Sequence, residues 1–438
     1  MQIFRLIPVS GSVSHRVKLI IMVNVLLFEL MLGALGLPQA VQSQSPSRDL
    51  QWTRIDKPGP TGNVVVTGSD VSEIAIGGSI CYAFDTSQNM IYRSMSGGLR
   101  WEDVTPYLTA AGGAVLPGSK IAIAPDEPAI VAVAANGGND FYLSVDGGIT
   151  WGNMHMGVLI GTVQSIAISK SYGEHKEQRD ILVGTAHFGD NASTGQVLLL
   201  HLGNVVPYWR NLQGNPPIIM GDVSAVAFSP RYTGDWTIVA IASTGADVNP
   251  PFGKTYLRIG TNLDVATGSV TWNTSIEVFA AQNPQSLGDG LGVTLIAGGL
   301  VLSSNFSAAE NTGMAYAFYR IDPAPVVNDP SNVYQIYLPT NTVTAFVGVG
   351  SRRYSSIALS GSKLLAGEVL PNDALTVAIR ISLNANSIPP TPPAFTHSGY
   401  PYGQSNAKVA WSGSVAYCGT SGSESGFSIS NDNGAHWS

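Results

Sequence analysis

A short apolar pattern recurs along the chain and divides it into similar units. Each copy, which we call an anchor, is a branched apolar residue, an alanine and a second apolar residue. The six copies are Ile74-Ala75-Ile76, Ile121-Ala122-Ile123, Ile166-Ala167-Ile168, Val226-Ala227-Phe228, Ile357-Ala358-Leu359 and Val409-Ala410-Trp411. The interval before Ile357 is about twice the usual length, and we assign Val293-Thr294-Leu295 as a weaker seventh copy within it. Such self-similarity predicts a repeat architecture of seven units.

Each unit also contains further short apolar segments that have the composition of β-strands. In the first unit Ile80–Ala83 and Met90–Arg93 follow the anchor, and a tryptophan opens the fourth segment. The tryptophans of the first four units are Trp101, Trp151, Trp209 and Trp272. Four short antiparallel strands in a unit of roughly 45–65 residues are typical of a propeller blade. Alanine at the centre of the innermost strand would let neighbouring blades approach closely near the axis.

The sequence therefore predicts an all-β fold, a single β-propeller of seven blades with four antiparallel strands each. The predicted propeller covers residues 44–438, with blades at 61–108, 118–157, 161–213, 221–279, 287–340, 353–398 and 405–438. An open solenoid and a pair of sandwiches are the alternatives, and a closed ring is favoured because it leaves only short, protected strand edges. Residues 50–56 resemble a fourth strand that would close the last blade; alternatively, the chain is part of a longer protein.

The composition agrees with this prediction and excludes several classes of function. Only 12% of the residues are charged, about half the usual fraction in soluble domains, and 49 of the 438 residues are glycine. The net charge is −7 and no basic stripe occurs, so a nucleic-acid partner is not expected. No histidines have the spacing of a zinc site and no glycine-rich loop precedes a helix, so neither a metal nor another cofactor is predicted.

The chain contains two cysteines, Cys81 and Cys418, which is too few for a disulfide-built scaffold. They lie on the second strands of the first and last units, which are neighbours in a closed ring. Second strands of adjacent blades are expected to lie farther apart than the ~5.5 Å between Cα atoms that a disulfide needs. Two buried thiols are therefore favoured over a disulfide that closes the ring.

The N-terminal residues 1–43 have the pattern of a secretory leader. Basic residues precede an apolar run at 19–37, and two plausible cleavage contexts follow it at 38–40 and 41–43. Asn24 and Glu29 interrupt the run, which is also long for a leader, so an uncleaved membrane anchor is the alternative. Both interpretations predict a secreted or cell-surface protein.

Between the third and fourth segments of the second unit lies Ser144-Val145-Asp146-Gly147-Gly148-Ile149-Thr150-Trp151. Similar segments occupy 94–101 and 430–437, and we call all three the tryptophan turns. The second copy keeps Ser94, Gly98 and Trp101, and the third keeps Ser430, Asp432, Gly434 and Trp437. The first segment resembles the Asp-box, Ser/Thr-x-Asp-x-Gly-x-Thr-Trp, of the Asp-box (BNR-repeat) propeller superfamily, which includes sialidases, sortilin-type receptors, xyloglucanases and photosystem II assembly factors.

The residues of the motif have structural roles. Aspartate at a hairpin turn accepts backbone hydrogen bonds, glycine adopts a positive φ, and tryptophan packs over the turn. The resemblance therefore implies a propeller fold and does not imply catalysis.

Candidate site residues lie in the loops that enter the innermost strands, because these loops converge on the axial mouth of a propeller. Asp70, Asp222, Asp289 and Arg353 each lie four residues before an anchor. Converging carboxylates could bind a cation or act as general acid and base, whereas aspartate before a strand is also ordinary turn chemistry. Asp70 and Asp222 form the pair to test, because a separation of ~5–9.5 Å between their carboxyl groups would fit glycoside hydrolysis.

Two long loops between second and third strands are predicted to open on the same face. Their candidate ligand-binding residues are Phe188, Asp190, Asp247 and Phe252. Aromatic side chains on long loops suit contact with carbohydrate or peptide, and the alternative is a solvated insertion.

These observations predict an exported, non-catalytic binding or assembly propeller at the cell surface, whose partner is an unknown protein or carbohydrate. The only predicted link to a membrane is an uncleaved N-terminal segment. The alternative is a glycoside hydrolase, sialidase-like or xyloglucanase-like, with carboxylates at the axial mouth. The scattered arginines argue against a sialidase, and a length that allows one propeller argues against the two-propeller xyloglucanases. The fold alone does not choose, because propellers host enzymes, receptors and scaffolds.

Overall fold

Seven small antiparallel sheets follow one another along the chain, six of them with four strands and the last with three. The computed structural model describes residues 69–157, 161–187, 195–203, 207–212, 221–243, 254–280, 294–322, 332–347, 353–369, 377–403, 405–422 and 425–438. All of them belong to one compact unit, Asp56–Ser438. In every sheet the strands are hydrogen-bonded in the order in which they occur in the sequence, as in the blades of a propeller.

The first three blades contain strands β1 to β12. Blade 1 has β1 (Val71–Gly77), β2 (Ile80–Asp85), β3 (Met90–Ser94) and β4 (Glu102–Asp103). Blade 2 has β5 (Lys120–Ile123), β6 (Val131–Ala135), β7 (Asp140–Ser144) and β8 (Gly152–Asn153). Blade 3 has β9 (Thr162–Ile168), β10 (Arg179–Ala186), β11 (Val197–Leu202) and β12 (Trp209–Asn211).

The remaining four blades contain strands β13 to β27. Blade 4 has β13 (Asp222–Phe228), β14 (Ile238–Ser243), β15 (Lys254–Asp264) and β16 (Ser269–Ala280). Blade 5 has β17 (Thr294–Leu302), β18 (Met314–Asp322), β19 (Val333–Tyr337) and β20 (Thr342–Ala345). Blade 6 has β21 (Arg353–Ser360), β22 (Lys363–Val369), β23 (Ile379–Ser382) and β24 (His397–Gly399). Blade 7 has β25 (Ser405–Ser412), β26 (Val415–Ser421) and β27 (Phe427–Ser430).

Helix is scarce in the described part of the chain. Two short α-helices occur, α1 (Thr105–Ala110) and α2 (Tyr232–Asp235), together with 3-10 turns at Asn136–Gly138 and Leu338–Thr340. None of the helices among the described residues is long and apolar enough to cross a membrane. The predicted leader at 1–43 lies outside the described residues.

The blades form a closed ring. The innermost strand of each blade contacts the innermost strand of the next, and β25 of blade 7 contacts β1 of blade 1. Ser412 Oγ in blade 7 also donates a hydrogen bond to the carbonyl oxygen of Gly78 in blade 1, at 3.0 Å. The all-β fold and the seven-bladed propeller predicted from the repeat are therefore confirmed.

The hydrophobic core lies between blades. Seven clusters of buried apolar side chains can be traced in the described residues, and each combines two consecutive blades. One cluster packs Leu182 of blade 3 against Val226 of blade 4. The cluster that closes the ring packs Val71 of blade 1 against Phe427 of blade 7. Because both faces of a blade are apolar, a blade buries its side chains only between two neighbours.

Six of the seven innermost strands have a β-bulge near their beginning. The register shifts between Val223 and Ala225 in β13 and between Leu295 and Ala297 in β17, and similar shifts occur in β1, β9, β21 and β25. Counted from the bulge, the counterpart of the anchor Val226-Ala227-Phe228 in blade 5 is Gly298-Gly299-Leu300.

The assignment of Val293-Thr294-Leu295 as the seventh anchor is therefore wrong, although Val293 itself lies outside the described residues. A Cβ atom on Gly298 would lie 2.2 Å from Ser224 Oγ, and one on Gly299 would lie 2.3 Å from Phe318 Cε1. Blade 5 thus has glycine where the other blades have a branched residue and alanine, and a search for the apolar pattern could not find it.

The three tryptophan turns share one set of hydrogen bonds. In the turn at 144–151, Ser144 Oγ accepts from the amide of Gly148 at 2.8 Å, and Trp151 Nε1 donates to the carbonyl of Gly148 at 3.1 Å. Asp146 accepts from the amides of Ile149 and Thr150 at 3.1 and 2.9 Å. The turns at 94–101 and 430–437 repeat the serine and tryptophan bonds. In the first of these, Ser96 replaces the aspartate and accepts from the amide of Arg100.

Each tryptophan turn packs against the preceding blade. The side chain of Arg93 in blade 1 donates to the carbonyl of Gly147 in the turn of blade 2. Trp101 in the turn of blade 1 makes an edge-on contact with Phe427 of blade 7, with ring centroids 4.7 Å apart. Lys363 Nζ in blade 6 donates to Asn433 Oδ1 in the turn of blade 7 at 2.7 Å. The turns therefore fasten neighbouring blades as well as closing their own hairpins.

The two cysteines are buried free thiols, as the sequence predicts. Cys81 lies in the cluster shared by blades 7 and 1, and Cys418 lies in the cluster shared by blades 6 and 7. Burial raises the pKa of the Cys81 thiol to about 12.

The outer edge of blade 7 is paired with the end of the chain. Ser438 exchanges two backbone hydrogen bonds with Ile429, of 2.8 and 2.9 Å, in the position where a fourth strand would begin. Residues 50–56 lie outside the described residues, so their predicted closure of this blade stays a prediction.

Replacing Gly98 by alanine should destabilise the propeller more than the same change at Gly78. Both glycines have positive φ, 90° and 62°, where alanine costs about 1–2 kcal/mol. A Cβ atom on Gly98 would also lie 2.5 Å from Phe427 Cε1, which adds about 1–3 kcal/mol of overpacking. No atom lies within 4 Å of such a Cβ on Gly78. Urea unfolding of both variants measures the difference, and equal losses would contradict the docking of the turn on blade 7.

The stability provided by Asp146 should disappear in acid. Burial raises the pKa of this carboxyl, but hydrogen bonds from Thr150, Ser144 and Ile149 outweigh it and lower the pKa from 3.8 to about 2. A lowered pKa gives a contribution that is present above the unfolded-state value and is lost as the pH falls through the folded-state value. The difference in unfolding free energy between the wild type and Asp146→Asn should therefore shrink between about pH 5 and pH 2. A difference independent of pH would refute this role.

Candidate functional site

In six of the seven blades the residue directly before the anchor lies at the axis of the ring. These six positions line one cavity of about 250 Å³, which we call the axial channel. They are Glu73, Lys120, Ser165, Ala225, Ser356 and Lys408. Blade 5 contributes Gly298 to Leu300, so all seven blades contribute residues to its wall. Concave sites with a few convergent polar groups are the usual places for ligands in proteins.

Three consecutive blades place an ion triad in the axial channel. Glu73 Oε1 of blade 1 accepts from Lys120 Nζ of blade 2 at 2.8 Å and from Lys408 Nζ of blade 7 at 3.3 Å. Lys408 Nζ also donates to the carbonyl oxygen of Ser355 at 3.2 Å. The exposed fractions of the three side chains are 18, 22 and 17%, so the triad lies largely out of solvent.

Burial and mutual proximity shift the pKa values within the triad. Burial raises the pKa of Glu73, but the positive charges of Lys120 and Lys408 and their hydrogen bonds outweigh it, so the pKa is lowered. The pKa of Lys408 is lowered by burial and by repulsion from Lys120 and Arg320, against the attraction of Glu73. Glu73 is therefore an ionised carboxylate at neutral pH, and two lysine side chains face it.

A further cation lies near the triad. Arg320 in β18 donates from Nη1 to Asn406 Oδ1 at 3.2 Å, so a side chain of blade 5 contacts blade 7. Its charge contributes to the lowered pKa of Lys408.

Serine side chains complete the wall by satisfying backbone groups of the next blade. Ser165 Oγ of blade 3 accepts from the amide of Val226 in blade 4 at 3.1 Å. Ser356 Oγ of blade 6 accepts from the amide of Val409 in blade 7 at 2.9 Å. The two bonds occupy equivalent positions in the repeat. Each provides an acceptor for a backbone amide on the inner edge of an innermost strand, where no further strand follows.

A second cavity of about 520 Å³, which we call the exit cavity, lies at the ends of β5, β9 and β13. Ile166, Val226 and Leu300 line both cavities, so the two adjoin. Lys170 and the hydroxyl groups of Ser171 and Tyr232 are among the polar groups around it.

A buried carboxylate lies behind the exit cavity. Asp180 is completely buried and accepts from the hydroxyls of Tyr172 and Tyr232 at 2.6 and 2.7 Å and contacts His201 Nδ1 at 2.7 Å. Burial and the carboxylate of Asp180 raise the pKa of both tyrosines. Because Tyr232 belongs to blade 4 and the other three residues to blade 3, the network joins two blades.

A neighbouring ion pair joins blades 2 and 3 in the same way. Arg179 Nη1 donates to Asp126 Oδ1 at 2.6 Å, and Ser171 donates to Asp126 Oδ2 from both its amide and its hydroxyl. Burial raises the pKa of Asp126, but these hydrogen bonds outweigh it and hold the pKa well below its usual range. The carboxylates of Asp126 and Asp180 therefore have hydrogen-bond partners that join neighbouring blades.

The candidates four residues before the anchors have contacts typical of turns. Asp70 Oδ2 accepts from Thr86 Oγ1 at 3.1 Å, and Asp222 Oδ1 accepts from the amide of His187 at 2.9 Å. Thr86 and His187 each follow directly after a second strand, β2 or β10. Arg353 begins β21. A catalytic role for these residues stays a prediction, and Asp289 lies outside the described residues.

The predicted ligand-binding residues Phe188, Asp190, Asp247 and Phe252 also lie outside the described residues. Within the part of the chain that the structure describes, no group of three or more histidine, cysteine, aspartate or glutamate side chains is arranged to hold a metal ion.

Sequence reasoning missed the ion triad although its pattern is present in the sequence. The residue directly before the anchor is charged in blades 1, 2 and 7, as Glu73, Lys120 and Lys408. These blades are consecutive in a closed ring, so opposite charges at equivalent positions are neighbours. The sequence-based candidates lie four residues before the anchors, whereas the ion triad lies directly before them.

No protein-family model and no curated protein sequence matches the chain. Among solved structures, the GH74 enzyme of Niastella koreensis is similar with 14% identity and a TM-score of 0.49, over 86% of this chain and 55% of that one. Puromycin hydrolase is similar with 11% identity and a TM-score of 0.48, over 85% of this chain and 53% of that one. The chain spans about half the length of these two proteins.

The Cps50 β-propeller domain of Myceliophteria thermophila has 11% identity and a TM-score of 0.44, over 84% of this chain and 98% of that domain. Similarity at these levels does not transfer a function, because propellers with different functions share this architecture.

Replacing Glu73 by glutamine should destabilise the propeller by about 3–5 kcal/mol, because two largely buried lysines then face each other without a counter-charge. The matched control is Glu102→Gln, which removes a carboxylate that is 53% exposed and pairs with Arg93 at 2.8 Å. An exposed pair contributes below about 1 kcal/mol. Denaturant unfolding of both variants at neutral pH compares the two, and a loss at Glu73 no larger than the loss at Glu102 would argue against a stabilising triad.

Proposed function

We propose that this protein is an exported, non-catalytic binding propeller that receives its ligand at the axial channel. The observation that carries the proposal is the ion triad, in which two lysines hold Glu73 in its ionised form. A ligand group placed there meets fixed charges from three blades in a concave and largely buried site.

The same observation argues against glycoside hydrolysis in the channel. That reaction needs one carboxyl group that stays protonated near neutral pH and a second carboxylate across the scissile bond. Glu73 is the carboxylate among the residues described in the channel wall, and its pKa is lowered. Asp70 and Asp222 accept hydrogen bonds from Thr86 and His187, as expected of residues that order loops.

The proposal includes the Asp-box type of propeller and export from the cytoplasm. The shared hydrogen bonds of the three tryptophan turns support the first, because serine, glycine and tryptophan make equivalent contacts in each turn. The basic and apolar pattern at residues 1–43 supports export to the cell surface. The partner is a protein or a carbohydrate, because a ring of loops around a mouth can present a surface to either.

The purified protein should release no sugar when it is incubated with sialosides, glucans and xyloglucan and the products are analysed by mass spectrometry. The physical reason is that the described residues of the channel wall do not include a protonated carboxyl group opposite a second carboxylate. Asp70→Asn and Asp222→Asn serve as matched variants. Released sugar that disappears in either variant would overturn the proposal and assign a hydrolytic reaction to the axial mouth.

A further inference from the structure

We propose that the axial channel binds a small free oxyanion, of the carboxylate or phosphate class, on Lys120 and Lys408. This inference deepens the proposed function, on which it rests, by naming the chemical class of ligand that the channel takes.

The charges at the axis favour an anion over a cation. Two lysine side chains face one glutamate in the triad. Uncompensated positive charge is costly in a largely buried site, and a bound anion would neutralise it. A cation would meet net repulsion, because both lysines already neutralise the carboxylate of Glu73.

The lysines also have unused donor capacity. An ammonium group carries three N–H donors. Lys120 Nζ has Glu73 Oε1 as its partner among the described contacts, and Lys408 Nζ has Glu73 Oε1 and the carbonyl of Ser355. Two donors of Lys120 and one of Lys408 are therefore available to a ligand in the channel that both side chains line.

The geometry lets one anion reach both lysines. Both ammonium nitrogens lie within 3.3 Å of the same oxygen, Glu73 Oε1, so they are close enough to each other for one ligand to contact both. An oxyanion beside Glu73 can accept from one lysine through one oxygen and from the other lysine through a second oxygen. Charge-assisted bonds of this kind are roughly twice as strong as bonds between neutral groups.

The neutral groups of the wall already have partners. Ser355 Oγ and Ser356 Oγ donate to the carbonyl of Ala407 at 2.6 and 2.7 Å. Gln164 Nε2 donates to Thr162 Oγ1 at 2.8 Å. Recognition therefore depends on the two lysine charges, which select for negative charge and not for a detailed pattern of hydroxyl groups.

The size of the channel limits the ligand. A volume of about 250 Å³ corresponds to roughly eight water molecules at ~30 Å³ each. Phosphate or a short carboxylate fits this space. The adjoining exit cavity of about 520 Å³ could hold an uncharged part of a larger ligand.

The test is isothermal titration of the purified protein with sodium phosphate and, separately, with sodium citrate, at constant ionic strength set by sodium chloride. We expect saturable binding of at least one of the two anions. Lys120→Met should weaken that binding by tenfold or more, because it removes one of the two charged donors. Lys176→Met is the matched control, because Lys176 is exposed on the surface and the change in net charge is the same. Its affinity should stay within twofold of the wild type.

Glu73→Gln separates a ligand-binding role from a structural one. Removing the internal carboxylate frees both lysines for the ligand, so anion affinity should rise by severalfold even though the empty protein is less stable. A role confined to stability gives no such increase. If this variant does not fold, the comparison of Lys120→Met with Lys176→Met decides alone.

Three results would overturn the inference. The first is that neither anion shows saturable binding. The second is that the wild type and Lys120→Met bind the anion with equal affinity. The third is that Lys176→Met loses as much affinity as Lys120→Met. These outcomes are distinct from failure of the proposed function, which the release of sugar would show. If the protein releases no sugar and binds neither anion, the proposed binding function still holds, but the oxyanion is not its ligand.

Discussion

The packing of one blade against the next is the constraint on which the rest of this structure depends. A blade is apolar on both faces, and its buried side chains belong to clusters shared with the blades on either side. Burying a leucine or valine in this way stabilises the fold by about 1.5–3 kcal/mol, but only when the neighbouring blade is present. The ring therefore has to close, and the cluster of Val71 with Phe427 completes it.

Close packing becomes most restrictive at the axis, where seven innermost strands converge. A Cβ atom on Gly298, in the innermost strand of blade 5, would lie 2.2 Å from Ser224 Oγ in blade 4. Small residues are therefore required in these strands, and in six blades the residue directly before the anchor faces the remaining space. In two blades that residue is a serine whose hydroxyl accepts a hydrogen bond from a backbone amide of the next blade. In three consecutive blades it has a charged side chain. The candidate site therefore lies where equivalent positions of the repeat carry different side chains.

The sequence predicted the parts of this structure that repeat and missed those that arise from neighbouring blades. The pattern around Ala75 and its counterparts was sufficient for the fold, because each copy obeys the same steric limit. Gly298 and Gly299 do not match the apolar pattern, although they meet the same steric limit because glycine has no Cβ atom. Glu73 is unremarkable in its own blade and gains its role only when ring closure brings Lys408 beside it. Such contacts, far apart in sequence, depend on a geometry that no local pattern contains.

The ion triad connects the stability of the ring to the proposed binding function. Two lysines at the axis would repel each other, so an empty ring needs an internal anion, and Glu73 provides it from the blade between them. The same carboxylate would compete with an incoming anion, so the residue that stabilises the empty propeller also sets an upper limit on its affinity. A carboxylate in the ring thus permits the channel to be both stable when empty and selective for negative charge, which two lysines alone would not achieve.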